Sequence, residues 1–228
     1  MELTPLQKRI CDRVINVFET GSISGDYSSI SVSNDGPNRI RQITYGRCHA
    51  IEYGRLPLLI REYIDAVGIF AARLKPYLDK VGLEPLADDE VFKSLLRDAG
   101  KTDPKMRQIQ DRLFDEYYFR PAMKWADANN FTLPISALVI YDSYVQSGSV
   151  PDFLCKRCVE ATPAKGGREK TWIEEYVATR EDWLVNHPNP VLHPTVYRTR
   201  CFQQEIARGN WDLSQLPIKT QGLEIFGR

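Results

Sequence analysis

The chain has 228 residues, 43% of them apolar and 26% charged, the make-up of a folded protein long enough to bury a full core. Lys+Arg and Asp+Glu each total 30, so the formal net charge is zero, which excludes a nucleic-acid binder that relies on a broad basic surplus. Apolar runs such as 137–141 fall far short of the roughly 20 residues that span a bilayer, so neither a membrane nor a nucleic acid is expected as a partner.

The first segment reads as a helix. Thr4 is a good N-cap, Pro5 suits the first helical position, and Leu6, Ile10, Val14 and Phe18 follow at four-residue steps until Gly21 stops the run. From Ser28 the period changes to two. Ile30 and Val32 alternate with serines, Asn34-Asp35-Gly36-Pro37 marks a turn, and Ile40 to Tyr45 reads as the returning strand of a β-hairpin.

Beyond the hairpin the pattern is helical. Segments 56–67 and 69–81 are apolar at helical spacing, and Asp88 and Asp89 can cap a helix through Arg97. Thr102 and Asp103-Pro104 open a longer helix, interrupted near Pro121 and ending at Asn129. Leu133 to Ser147 is the most apolar stretch and is expected to be the buried central helix. Residues 148–167 collect prolines and glycines as a loop, 170–186 and 194–208 read as the last two helices, and the tail TQGLEIFGR as a surface strand or loop.

Five cysteines are an odd number, so complete internal pairing is impossible. Cys155-Lys-Arg-Cys158 resembles half a zinc site or a redox pair. A structural zinc needs a second matching pair, and only His49, His187 and His193 remain to supply it. Reduced, inert thiols are the expectation, with no metal and no cofactor.

Two carboxylates carry the candidate chemistry. Glu19 stands at the end of the first helix, facing the negative end of the macrodipole, where partial burial would favour the protonated form that a general acid needs. Asp35 sits in the hairpin turn near Arg39 and Arg41, which favour the ionised form that a base needs, and Thr44 offers a hydroxyl to orient a water. Each residue also has a structural explanation. A glutamate at a helix end is commonly solvated, and an aspartate at a hairpin tip commonly bonds its own turn. Asp142, on an apolar helix, reads as a buried partner for an arginine such as Arg180. Tyr117, Tyr118, Phe119 and Trp125 read as core packing.

The segments FETG, GDY, NDG and ITYGR within 18–47 resemble the N-terminal catalytic segment of the chitosanase-type enzymes of glycoside hydrolase family 46. They resemble still more the lysozyme-like relatives carried by type VI secretion spike proteins. DRLFDEYYFRPAMKWA, ALVIYDSYVQSG, GGREKTWIEEYVATREDWL and ARGNWDL continue the resemblance in the family's order. It implies a mainly α (α+β), lysozyme-like, two-lobed fold with a small N-terminal β-hairpin or sheet and a cleft between the lobes. One catalytic domain, 1–228, would comprise a helix and hairpin over residues 1–50 and a helical remainder over 51–228. It further implies Glu19 as general acid, Asp35 as general base and Thr44 as the residue holding the water. The reaction would be inverting, for which two carboxyl groups roughly 6.5–9.5 Å apart are expected.

Tyr27, Tyr45 and Arg47 are candidates to line sugar subsites, since aromatic rings and planar donors suit sugars. The chain departs from the chitosanase pattern at Arg55, where an acidic residue for the substrate's ammonium group is expected. A cation there repels chitosan and accepts carboxylates or acetyl carbonyls. Together with the neutral balance, Arg55 favours peptidoglycan, as for a lysozyme-like antibacterial effector or lysin. Chitosan is the alternative polysaccharide substrate, and an inactive glycan-binding module is a further reading. An immunity or inhibitor protein is a possible partner. MELTPLQKR lacks signal-peptide character, so synthesis in the cytoplasm, followed by specialised secretion or lysis to reach a cell wall, is the expectation.

Overall fold

The structure is a computed structural model that describes residues 1–227. Its contacts divide the chain into two compact units, one of Met1–Ser24 with Tyr117–Arg228 and the other of Gly25–Glu116.

In the first unit, helix α1 (Pro5–Thr20) begins and ends as its sequence predicts. The Thr4 hydroxyl accepts the Gln7 amide at 3.2 Å, and the Gln7 side chain accepts the Thr4 amide at 2.9 Å, a reciprocal capping box. Gly21, at φ 66°, closes the helix with its N–H on the Val17 carbonyl. Ile10, Val14, Val17 and Phe18 are buried, and α1 packs on α7 (Pro134–Ser147) and on the terminal hairpin of β4 (Ile218–Thr220) and β5 (Leu223–Ile225).

Helix α7 is buried from Ile135 through Ser143, as its uniform apolarity predicts. It contacts α6 (Arg120–Ala128) and α9 (Glu169–Val185). The Glu169 carboxylate accepts the amides of Thr132 and Leu133 and the hydroxyls of Thr132 and Ser136, so the first residue of α9 also caps the start of α7. Trp172 of α9 stacks on Tyr176 and meets Phe131 and Trp125, so the half-buried Trp125 lies at the edge of this aromatic cluster. Helix α10 (Tyr197–Ala207) packs on α9 and β4.

Three expectations in this unit are corrected. The 148–167 loop contains a one-turn helix, α8 (Asp152–Cys155), and a 3₁₀ turn. The last helix begins at Tyr197, because Pro190 and Pro194 hold 190–196 in a 3₁₀ turn. The tail TQGLEIFGR contains the expected strand, with Gln221, Glu224 and Phe226 exposed, but it is not wholly on the surface: Ile225 is fully buried against α1. Of the tail, Arg228 lies outside the described residues.

The second unit opens on an antiparallel sheet of β1 (Ile30–Ser33), β2 (Gln42–Tyr45) and β3 (Ala50–Ile51), with β2 central. Ser31 pairs with Thr44 and Ser33 with Gln42, so these four share one face, while Ile30, Val32, Ile43 and Tyr45 share the other. The returning strand starts at Gln42, later than expected, because 37–39 forms a 3₁₀ turn with Asn38 and Arg39 at positive φ. Helices α2 (Leu56–Asp65), α3 (Ala71–Leu74), α4 (Glu90–Thr102) and α5 (Pro104–Phe114) follow. The single helix expected over 69–81 is broken into α3 and a 3₁₀ turn at Lys75–Tyr77 that contains Pro76. A π-helical turn, Asp115–Phe119, joins α5 to α6, so the interruption expected near Pro121 falls one turn earlier.

The division expected at residue 50 is also corrected. The first helix and the hairpin belong to different units, since the apolar face of α1 is covered by α7 and by the C-terminal hairpin.

Candidate active site

Glu19 is the penultimate residue of α1, and its side chain is nine-tenths buried. Arg198 Nη2 donates to Glu19 Oε1, while Arg198 Nη1 donates to Asp142 Oδ1 at 2.7 Å. Arg180 Nη2 meets the other oxygen, Asp142 Oδ2, also at 2.7 Å, which bears out the pairing expected for Asp142. Two carboxylates thus alternate with two guanidiniums in a neutral buried chain. Burying four such charges is tolerable only because each has a partner. Burial works against the charge of Arg198, but Asp142 and Glu19 outweigh it and raise its pKa above the ordinary arginine value.

The start of α10 grips the end of α1 at two successive residues. The Tyr197 hydroxyl donates to the Phe18 carbonyl at 2.7 Å, and Arg198 holds Glu19. Arg198 also lies over the Phe18 ring, 5.3 Å from its centroid. Glu19 therefore faces a guanidinium as well as the carbonyl end of its own helix.

Asp35 follows β1 and is exposed. The Ser33 hydroxyl donates to its Oδ1 at 2.5 Å and Gln42 Nε2 to the same Oδ1 at 2.9 Å. These bonds, Ser33 first and Gln42 second, hold the Asp35 carboxyl below its usual pKa. The expected source was Arg39 and Arg41. Arg41 is instead paired with Asp88 at 2.7 Å on the surface, and the two neutral donors do the holding. Thr44 is half-buried, on the same sheet face as Gln42 and two residues along β2. The fold thus gathers Asp35, Gln42 and Thr44 at one sheet face.

The candidate sugar-lining residues fare differently. Tyr45 is fully buried, its hydroxyl donating to the Leu96 carbonyl at 2.6 Å, so it has no face to offer a sugar. Arg47 is also interior: its guanidinium pairs with Asp111 at 2.9 Å and lies over Phe114. Both are corrected from sugar contacts to core residues. Tyr27 is half-buried with its hydroxyl on the same Asp111 at 2.9 Å, and burial, then Asp111, pushes its pKa up to about 12. Gln110 completes the strap by accepting the Arg47 amide and donating to the Tyr27 carbonyl, both at 2.9 Å. Arg55 is half-buried just before α2, and His49 is half-buried at φ 47°.

Sequence reasoning missed Arg198, Tyr197, Ser33 and Gln42. The five cysteines are free thiols. Cys155 and Cys158 are half-buried, and burial raises both pKa values, that of Cys155 to about 11, which makes them poor nucleophiles.

The model of Glycosyl hydrolase family 46 matches residues 13–218. The chitosanase of Bacillus subtilis (strain 168) is 28% identical over 204 residues, covering 80% of this chain and 69% of its own. Native chitosanase from Bacillus subtilis MY002 superposes with a TM-score of 0.82 at 22% identity, over 99% of this chain and 100% of that one. The GH46 chitosanase of Gynuella sunshinyii, in complex with chitotetraose, superposes with a TM-score of 0.78 at 26% identity, over 98% of both chains. The mainly helical architecture with a small antiparallel sheet is thus shared along nearly the full length.

Proposed function

The chain belongs to glycosyl hydrolase family 46 and is a glycoside hydrolase, and we propose that it cuts β-1,4 bonds within chitosan, with Glu19 as general acid and Asp35 as general base. The observation that carries the choice of substrate is the relative named chitosanase, which aligns over 80% of this chain. The relative bound to chitotetraose supports the same choice.

The setting of Asp35 suits its part in the division of labour, whereas the guanidinium of Arg198 beside Glu19 partners the carboxylate left after proton transfer rather than the acid before it. Glu19 gives its proton to the glycosidic oxygen as the C–O bond breaks, and Arg198 stabilises the carboxylate that forms. Asp35, kept ionised by Ser33 and Gln42, takes a proton from the water whose oxygen bonds to the anomeric carbon. Thr44 orients that water. Attack on the face opposite the leaving group inverts the anomeric centre, and exchange with solvent then removes the proton from Asp35 and supplies one to Glu19.

The case for peptidoglycan rests on the neutral charge balance and on Arg55 as an open cation. That residue is half-buried and has an interaction of its own, which weakens it as a reason against an ammonium-bearing polymer. New reducing ends are to be measured after incubation with soluble chitosan and, separately, with purified peptidoglycan. Release from chitosan is expected. Release from peptidoglycan alone would overturn the choice of substrate.

A further inference from the structure

We propose that Ser33 and Gln42 are positioning residues that clamp one carboxylate oxygen of Asp35, Oδ1, and so assign the other, Oδ2, as the atom that takes the proton from water. The proposal rests on the reading of Asp35 as the general base.

Both side-chain donors converge on Oδ1, at 2.5 Å from Ser33 and 2.9 Å from Gln42. They come from different strands, since Ser33 and Gln42 are the last cross-strand pair of the β1–β2 ladder. Asp35 leaves the ladder at that end. Two donors from two strands fix the position and rotation of a carboxylate that is otherwise exposed on a turn. With both side-chain donors on Oδ1, Oδ2 is the oxygen that neither of them touches. The clamp and Thr44 lie on the same face of the sheet, so the acceptor and the water-orienting hydroxyl are carried by one rigid element.

Gln42 shows a second sign of this use. Its side chain is 4% exposed, although the aspartate it serves is at the surface. An ionised carboxylate only accepts, so the amide must turn Nε2 toward Asp35 and Oε1 inward. Oε1 is then buried without a hydrogen-bond partner. An orphaned carbonyl oxygen destabilises a fold, and an apolar side chain of similar size would sit there without that cost. Gln42 is a poor choice for stability and a good one for holding Asp35.

The test uses Asp35→Asn, Gln42→Met and Ser33→Ala, with kcat and KM on chitosan measured across pH and thermal unfolding alongside. Asp35→Asn is expected to be inactive. Gln42→Met is expected to lose kcat on the order of tenfold with KM nearly unchanged, and to keep or raise the unfolding midpoint. Losing a donor raises the pKa of the base, so the acid limb of the profile moves to higher pH. Ser33→Ala, at an exposed position, is expected to move the limb the same way and reads out the clamp even if Gln42→Met folds poorly. An unmoved acid limb in both clamp variants, with Asp35→Asn inactive, overturns the clamp alone. An active Asp35→Asn overturns the base and the clamp together.

Discussion

Asp142 holds two guanidiniums at 2.7 Å each, and one of them also holds Glu19. Asp142→Ala would leave Arg180 and Arg198 buried beside each other with half their compensation gone, so a loss of about 3–5 kcal/mol is expected in urea unfolding. Glu19→Gln keeps the shape of the side chain and leaves Arg198 paired with Asp142. It is expected to keep the fold, by circular dichroism, while kcat falls roughly 10²–10⁴-fold. These roles were unevenly legible. Asp142 stands out as a charge inside ALVIYDSYV, whereas Arg198 has no local marker because its partners are 56 and 179 positions away. The interior position of Tyr45 was available from alternation, since it shares a face with Ile43 and not with Thr44. The pairing of Ser33 with Gln42 was not legible in this way, because a tight Asn-Asp-Gly turn would set Ser33 opposite Asn38, and the 3₁₀ turn at Pro37–Arg39 moves the partner on to Gln42. Aromatic and cationic side chains suggested sugar contacts because residue type was weighed ahead of strand face.

Helix α1 carries Glu19 at its last turn, so its ends matter to the site. Thr4→Ala removes the capping box and is expected to cost about 1 kcal/mol. Gly21→Ala meets no neighbour within 4 Å, yet φ +66° strains any Cβ, and a loss of about 1 kcal/mol is expected. Thermal unfolding of the two variants checks both values, and unchanged midpoints would show that the last turn is held by Tyr197 and Arg198 alone. Cap residues made the bounds of α1 legible in advance, and uniform apolarity did the same for α7. Where prolines sit inside an apolar pattern, as at Pro76 and Pro194, the periodicity suggested longer helices than the backbone can sustain. The burial of Ile225 depends on the distant surface of α1, which no local pattern in the tail announces.

The two units do not follow the order of the chain: the first 24 residues belong with those from Tyr117 onward. An apolar helix face declares that it needs cover but not which segment supplies it. That is why the break was expected at residue 50. Family resemblance made the architecture legible, while the preference for peptidoglycan leaned on the neutral charge balance and on Arg55, whose partial burial the sequence does not announce. With Asp35 held below its usual pKa, activity on chitosan is expected to persist to lower pH than an ordinary aspartate base would allow, as a kcat/KM profile would show. The most direct test is proton NMR of the sugar anomers released during the first minutes of digestion of a chitosan oligosaccharide. Glu19 as acid and Asp35 as base on water require the α-anomer to appear first. The β-anomer appearing first, or no new reducing end at all, would contradict that pairing.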